Sequence, residues 1–235
     1  MELTEYRIST GHEIDMRLAF VADLHDDRDY AKYLDIIKSK NVDMILSSGD
    51  ILHDGWHFDN ALAFIREAVR ICPFVTSIGN HEFKVGFDAA AKYRECGATV
   101  LDDQTLHVGE LTIGGLTSGF GRSVQGWYKR TPPPDTEYIA SFSGESGYRI
   151  LLNHHPEYYK KYLQNVAELI LSGHAHGGQW RVFGQGIYAP GQFIFPKYTS
   201  GMYDGRLIVS RGMHSEGFIP RIFNDTQLIF VNLQR

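Results

Sequence analysis

Cysteine is nearly absent. Cys72 and Cys96 are the only two in 235 residues and could pair only once, so nothing suggests a disulfide framework. Cys72, in an apolar run before Pro73, reads as a buried free thiol. Long apolar stretches are also lacking. The longest near the start, Met16 to Ala22, is interrupted by Arg17 and is far too short to span a bilayer. The opening MELTEYRISTGHEID has no basic region followed by an apolar one, so no signal peptide is expected and cytoplasmic residence is the default. Positive charge is not in excess either. The formal net charge of -5 argues against a general electrostatic grip on nucleic acid, while leaving room for a local basic patch around one phosphate. There is no internal repeat and no low-complexity tail.

What remains is an ordinary globular composition, 43% hydrophobic and 22% charged, with a length suited to one substantial α/β domain or two small ones. Apolar runs alternate with helical spacing. Leu18 to Ala22, Met44 to Leu46 and Phe74 to Ile78 read as buried strands. Asp29–Lys40, Asn60–Ile71 and Phe87–Glu95 read as the helices between and after them. This rhythm argues for a mostly parallel sheet with helices on both faces. Residues 98–116 read as short strands with tight turns. Residues 118–146, rich in Gly, Ser and Pro, read as a long connection with room for one short helix. Tyr148–Leu152 and Leu169–Ser172 are strands again, with a helix expected over Pro156–Leu163. Short strands and Gly turns follow from Gln179, closing with Gln227–Leu233. The whole is expected to be a single domain over 1–235, a four-layer α/β/β/α sandwich of two mixed sheets flanked by helices.

Five apolar strands run directly into polar clusters: Asp23-Leu24-His25, Gly49-Asp50, Gly79-Asn80-His81-Glu82, His154-His155 and Gly173-His174-Ala175-His176. Ligands of α/β sheets bind beyond the carboxyl ends of the strands, so the five could converge. Carboxylate oxygens mixed with imidazole nitrogens suit Mn, Fe, Zn or Co better than Ca. No Cys stands among them, which argues against a structural thiolate zinc site. Asp23 and His25, two apart, point to one side of an extended segment, and His174 and His176 repeat that geometry.

These motifs, in this order and at strand ends, resemble the calcineurin-like metallophosphoesterase superfamily from about residue 16 onward. Gly173-His174-Ala175-His176-Gly177-Gly178-Gln179 and the tail with Pro190-Gly191, Ser210-Arg211-Gly212 and Pro220-Arg221 are similar to its YkuE-type bacterial phosphohydrolase branch. The resemblance implies dinuclear-metal-dependent hydrolysis of a small phosphate ester, mono- or diester, by a metal-bridging hydroxide. It assigns Asp23, His25 and His176 to the first metal, Asn80, His154 and His174 to the second, and Asp50 to both. It places His81 unligated beside the leaving oxygen as the catalytic group, with Asn80 and His81 facing the substrate. A nuclease needs a basic groove that the net charge disfavours. A non-catalytic metal-binding scaffold is the other alternative, although such proteins tend to have lost motif residues, and here all are present.

The sequence departs from the pattern after the bridging Asp50. Members often carry an Asp three residues on, orienting the catalytic His; here that position is His53, followed by Asp54. Either Asp54 takes over or His81 is oriented differently. Asp26 and Asp27 add two carboxylates, an extra ligand, a substrate filter or a solvated helix start. Glu82 is read as a support or a structural ion pair. His155 is expected to face away in an extended segment, with a structural or supporting role. His12, His57, His107 and His214 lack a motif, although the resemblance puts His214 near the site. Arg122, Lys129, Arg130 and Arg211 could grip a phosphate. Trp127, Tyr128 and Tyr138 could stack on a substrate or simply pin the long connection.

Overall fold

The computed structural model describes residues 1–55, 58–122, 131–214 and 220–235. In chain order its strands are β1 (Glu2–Ser9), β2 (Met16–Val21), β3 (Met44–Ser47), β4 (Phe74–Thr76), β5 (Thr99–Val100), β6 (Gln104–Val108), β7 (Leu111–Leu116), β8 (Tyr148–Asn153) and β9 (Leu169–Ser172). Then come β10 (Arg181–Val182), β11 (Gln185–Gly186), β12 (Tyr188–Ala189), β13 (Phe193–Ile194), β14 (Gly201–Tyr203), β15 (Leu207–Val209) and β16 (Gln227–Gln234). The helices are α1 (Ala31–Ser39), α2 (Asp59–Ala68), α3 (Ala89–Glu95) and α4 (Thr136–Ser143).

Two six-stranded sheets result, ordered β1-β16-β2-β3-β4-β5 and β14-β15-β9-β8-β7-β6. Both are mixed. In the first, β2 to β5 run parallel and β16 is antiparallel to β2. In the second, β7, β8, β9 and β15 run parallel, with antiparallel edges β6 and β14.

The period-two alternation of each strand decides which layer it meets. Ala19, Val21, Ile45 and Phe74 pack with the α1, α2 and α3 side chains Tyr33, Ile37, Phe64, Ile65 and Tyr93. Leu18, Phe20, Leu46 and Val75 turn the other way, against Ile113, Ile150, Leu152, Leu169, Leu171 and Ile208 of the second sheet. The second sheet's outward residues Leu151, Ile170, Leu207 and Val209 pack with Ile139 and Phe142 of α4 and with Tyr158, Tyr159 and Leu163. The four layers are therefore helix, sheet, sheet, helix. Among the described residues neither sheet carries helices on both faces, as the opening βαβ rhythm suggested: the inner face of the first sheet is covered by the second.

Local departures have local causes. The expected helix over Pro156–Leu163 is a 3-10 turn, Pro156–Tyr158, running into a π turn, Tyr159–Leu163. The long connection holds a 3-10 turn at Gly119–Arg122 and α4, whose start is capped by the Asp135 carboxylate accepting from Glu137 and Tyr138 N–H. β1 has no counterpart in the sequence reading, because its polar, half-exposed pattern hides a sheet edge built by parallel pairing with β16.

Candidate metal centre

All five polar clusters sit at the carboxyl ends of parallel strands, on one side of the sandwich. β2 delivers Asp23 and His25, β3 delivers Asp50, and β4 delivers Asn80 and His81; from the second sheet β8 delivers His154 and β9 delivers His174 and His176. The loops are laced together past the strands. Asp23 N–H donates to Gly49 O at 3.3 Å, His25 N–H to Asp50 O at 3.2 Å, Gly173 N–H to His154 O at 3.2 Å and His214 N–H to Asp23 O at 2.9 Å. His174 N–H donates to both Asp23 carboxylate oxygens at 3.0 Å, joining the two sheets across the site.

Asp23, His25, Asp50, His174 and His176 all take positive φ, between 45° and 64°. Asp and His tolerate this region better than most residues, but it remains uncommon and costs strain. Gly79 passes so close to Asp50 that a Cβ on it would fall on the Asp50 carboxylate.

The ligand atoms of Asp23, His25 and His176 lie within 4.8 Å of one another, as do those of Asp50, His154 and His174. The two groups adjoin: His154 Nε2 is 3.0 Å from Asp50 Oδ2 and 3.9 Å from Asp23 Oδ1, and His25 Nε2 is 3.9 Å from Asp50 Oδ2. His154 Nδ1 stands 3.1 Å from Ser48 O, so that nitrogen carries the proton in the neutral ring and Nε2 keeps its lone pair. His154 Nε2 and Asn80 Oδ1 are buried and neither makes an aligned hydrogen bond. Two adjoining groups of mixed nitrogen and oxygen donors fit cations.

The electrostatics point the same way. Burial, with the Asp50 charge beside it, pushes Asp23 up to about 7. Burial also works to raise Asp50, but His154, His81 and His25 outweigh it and hold Asp50 well below the usual carboxylate range. For His154 burial favours the neutral ring, yet Asp50 and Asp23 prevail and lift it to about 9. His25, His174 and His176 are pushed well below their ordinary value by burial, which keeps them neutral. Carboxylates whose charge burial disfavours, beside rings that burial keeps neutral, are groups that a bound cation would stabilise.

Around this pair lie residues of several kinds. His81 N–H donates to Asp50 Oδ1 at 2.8 Å, and His81 Nε2 stands 3.9 Å from Asp50 Oδ2. His81 Nδ1 accepts the Asp54 N–H at 3.2 Å and lies 3.3 Å from Asp54 Oδ1. Asp54 thus occupies the orienting place that the sequence left open, and His53 stacks on the His81 ring at 5.3 Å. Burial and then Lys84, whose Nζ is 3.2 Å from His81 Nε2, outweigh Asp50 and hold His81 below the ordinary imidazole value. A protonated His81 is therefore disfavoured near neutral pH.

Among the described residues Glu82 makes no ion pair. Its carboxylate accepts from the N–H groups of Asp50, Ile51, Leu52 and Gly79 at 2.9–3.3 Å and from Tyr93 Oη at 2.7 Å. The remaining histidines divide. His214 lies 5.6 Å from the His25 ring. His155 is buried with Nε2 2.7 Å from Ser118 Oγ and Nδ1 3.5 Å from Glu157 Oε1, its ring 4.4 Å from that of His174. It braces the site rather than facing away from it. Asp26 is committed to the start of α2, its Oδ1 accepting the Ala61 N–H at 2.7 Å. Asp27 is buried, and its Oδ1 accepts the Asp29 N–H at 2.8 Å.

Among the cations, Arg211 is tied to Glu2 in an ion pair and is buried, so it is not available for a phosphate. Arg221, which sequence reasoning did not single out for the site, reaches it, as Lys84 does at His81. Its Nη2 lies 3.5 Å from His176 Nδ1 and donates to Arg211 O at 2.7 Å, and burial lowers its guanidinium to about 10. Glu157 was missed too; only its place after His154-His155-Pro156 could have signalled it. Tyr138 pins the long connection, donating to Gln104 O at 2.7 Å. His57, Trp127, Tyr128, Lys129 and Arg130 lie outside the described residues.

Two adjoining groups of candidate metal ligands sit at the shared carboxyl ends of two stacked sheets in an α/β sandwich. Residues 16–178 match the sequence model of the calcineurin-like phosphoesterase family, and the chain belongs to that family. It is 25% identical to an uncharacterized metallophosphoesterase of Campylobacter jejuni, over 94% of this chain and 59% of that protein. It is 24% identical to an uncharacterized metallophosphoesterase of Helicobacter pylori, over 70% of this chain and 45% of that protein. The chain thus spans about half the length of these relatives. Among solved structures it is similar to TT1561 of Thermus thermophilus, with a TM-score of 0.49, 10% identity, and coverage of 68% of this chain and 82% of that one. No helix among the described residues is long and apolar enough to cross a membrane.

Proposed function

We propose that this chain hydrolyses a small phosphate ester using two divalent transition-metal ions. The observation that carries the reading is the pair of adjoining donor groups, Asp23/His25/His176 and Asp50/His154/His174; Asn80 Oδ1 is buried and without a hydrogen-bond partner among the described residues. In this reading Asp23, His25 and His176 hold one cation, Asn80, His154 and His174 hold the other, and Asp50 serves both. When bound, such a pair supplies Lewis acidity to the phosphoryl oxygens and lowers the pKa of water, so that hydroxide is at hand near neutral pH.

The chain's own residues do the positioning. Ser48 O fixes the His154 tautomer, the His174 N–H fixes the Asp23 carboxylate, and Glu82 fixes the backbone that carries Asp50. His81 stands neutral at this edge. Its Nδ1 accepts from Asp54 N–H and its Nε2 lies 3.2 Å from Lys84 Nζ, which can only donate, so the proton passed to the leaving oxygen comes from the Lys84 ammonium or from a ring N–H once Lys84 moves off Nε2. Lys84 adds positive charge at that edge.

Metal analysis of the purified protein, with hydrolysis of a nitrophenyl phosphate monoester and diester across Mn²⁺, Co²⁺, Zn²⁺ and Mg²⁺, tests the reading. About two ions per chain with ion-dependent turnover is the expected result. No bound metal and no turnover with any ion would overturn it.

A further inference from the structure

Beside the centre lies a further cluster of imidazole and carboxylate that the proposed function does not use as a unit. His155 follows His154 at the end of β8, Glu157 stands in the 3-10 turn Pro156–Tyr158, and His174 comes from the end of β9. The ligand atoms of these three lie within 4.8 Å of one another. His155 Nδ1 is 3.5 Å and His174 Nε2 3.9 Å from the same Glu157 oxygen, Oε1. Both separations exceed a hydrogen bond of ordinary geometry. They match the first donor group instead, where His25 Nε2 is 3.4 Å from His176 Nε2 and these nitrogens stand 3.8 and 3.7 Å from Asp23 Oδ1. A tetrahedral zinc with ligands at about 2.1 Å sets its ligand atoms about 3.4 Å apart.

The side chains are held toward one point. His155 is fully buried, and its Nδ1 has no hydrogen-bond partner among the described residues. Its Nε2 lies 2.7 Å from Ser118 Oγ, which can accept the ring N–H and leave the Nδ1 lone pair facing Glu157. Asn153 Nδ2 ties the two strand ends together, donating to His155 O at 2.8 Å and to Ser172 Oγ at 3.1 Å. Glu157 Oε1 accepts from Thr131 Oγ1, while Oε2 is buried without a hydrogen-bond partner among the described residues. Gly191 packs so closely that a Cβ on it would fall on Glu157 Oε1. Two imidazoles and one carboxylate, with a water to complete four, make a set that zinc takes readily.

We propose that His155, Glu157 and His174 form an accessory zinc site beside the candidate metal centre. His174 belongs both to this group and to Asp50/His154/His174, and a neutral imidazole offers one lone pair. Zinc at the accessory site therefore competes with the second cation for His174, and excess zinc should slow turnover. While the second cation keeps His174, the accessory site is left with His155 and Glu157 and binds more weakly than the pair. The competition rests on the proposed function, whereas the site rests on its own three residues.

Diffraction at the zinc absorption edge, from crystals of the whole chain grown in excess Zn²⁺, tests the site. An anomalous peak about 2.0–2.2 Å from His155 Nδ1 and from a Glu157 oxygen is expected. Peaks at Asp23/His25/His176 and Asp50/His154/His174 with none at Glu157 would overturn the accessory site and leave the proposed function standing. A peak at Glu157 with none at the pair would do the reverse. Equilibrium dialysis of the metal-stripped chain against Zn²⁺ reads the same site in solution. The weakest zinc equivalent should lose at least about tenfold in affinity in Glu157→Gln, with the tighter equivalents unchanged. Zinc uptake that Glu157→Gln leaves as in the parent would overturn the proposal.

Discussion

Replacing Glu82 by glutamine changes one buried atom, and its effect can be worked out from the donors that surround it. The carboxylate, 3% exposed, accepts from donors on both oxygens: Ile51 N–H, Leu52 N–H and Tyr93 Oη on Oε1, Asp50 N–H and Gly79 N–H on Oε2. A glutamine keeps one acceptor oxygen. Its better orientation leaves that oxygen with the first three donors and turns the NH₂ toward the other two. Each buried N–H deprived of its acceptor costs roughly 1–3 kcal/mol, so the variant should lose about 2–6 kcal/mol. For a chain of this size that corresponds to a midpoint lowered by roughly 5–20 °C. The assay is urea unfolding of metal-stripped protein at pH 8, above the value of about 7 to which burial and Asp50 push the Glu82 carboxyl. Tyr93→Phe, which removes the Oη donor to Glu82 and one of the two acceptors of the Leu52 N–H, is the internal standard and should cost only about 1–2 kcal/mol. If Glu82→Gln unfolds within about 0.5 kcal/mol of the parent, or costs less than Tyr93→Phe, the idea that this carboxylate organises the Asp50 and Gly79 loops fails.

Asp50→Asn should keep the fold, since an amide oxygen can still accept the His81 N–H, but should lose bound metal and at least about a hundredfold in turnover; full activity in that variant would remove Asp50 from the centre. Asp54→Asn should leave metal content unchanged and slow alkyl phosphates by tenfold or more, with nitrophenyl phosphate far less affected, because the better leaving group needs less help from His81. An equal loss on both substrates would contradict a positioning role. Glu168 gives a pH prediction remote from the centre. Burial raises its carboxyl, but Arg149, donating through Nε and Nη2, outweighs this and depresses it. A depressed carboxyl contributes stability above its unfolded value near 4.5 and loses it as pH falls through the lower folded value. Glu168→Gln should therefore cost up to about 1 kcal/mol at pH 7, after allowance for solvent screening, and the gap should close below about pH 4 in thermal scans. A gap that persists unchanged at pH 3 would refute the assignment.

The ligand loops were legible because their signal is chemical and local: an apolar strand stops and an Asp, Asn or His follows at once. The strands were legible for the same reason, their apolar runs being set by burial between layers. Three features were not. β1 is an edge strand whose polar alternation matches its half-exposed face, and only its pairing with β16, more than two hundred residues away, makes it a strand. The role of Asp54 depended on a loop path that places its carboxylate beside His81 where a residue one position earlier was expected. Arg211 and Arg221 look equivalent as sequence, both in Gly- and Pro-punctuated tails. Glu2, on that unread first strand, claims the former and leaves the latter to reach His176.

The strain at the centre explains why the motif residues come with their particular neighbours. Asp23 and Asp50 share one desolvated cluster, and at neutral pH their repulsion would favour loops that drift apart. They are held by bonds that do not depend on either carboxylate's charge: Asp23 N–H to Gly49 O, His25 N–H to Asp50 O, and the Glu82 acceptor beneath Asp50. The left-handed turns at Asp23, His25 and Asp50 stop the strands and set these side chains, at a conformational cost of roughly 1–3 kcal/mol each. Gly79 then fits only because it lacks a side chain, since a Cβ there would occupy the place of the Asp50 carboxylate. Backbone strain, carboxylate repulsion and the buried, unpartnered Asn80 Oδ1 are all unfavourable alone, and all are offset by the same event, the arrival of positive charge between the two loops. A fold that keeps all three in one place is preorganised for cations, and its rigidity is supplied by Glu82 and the interlaced loops rather than by the ligands themselves.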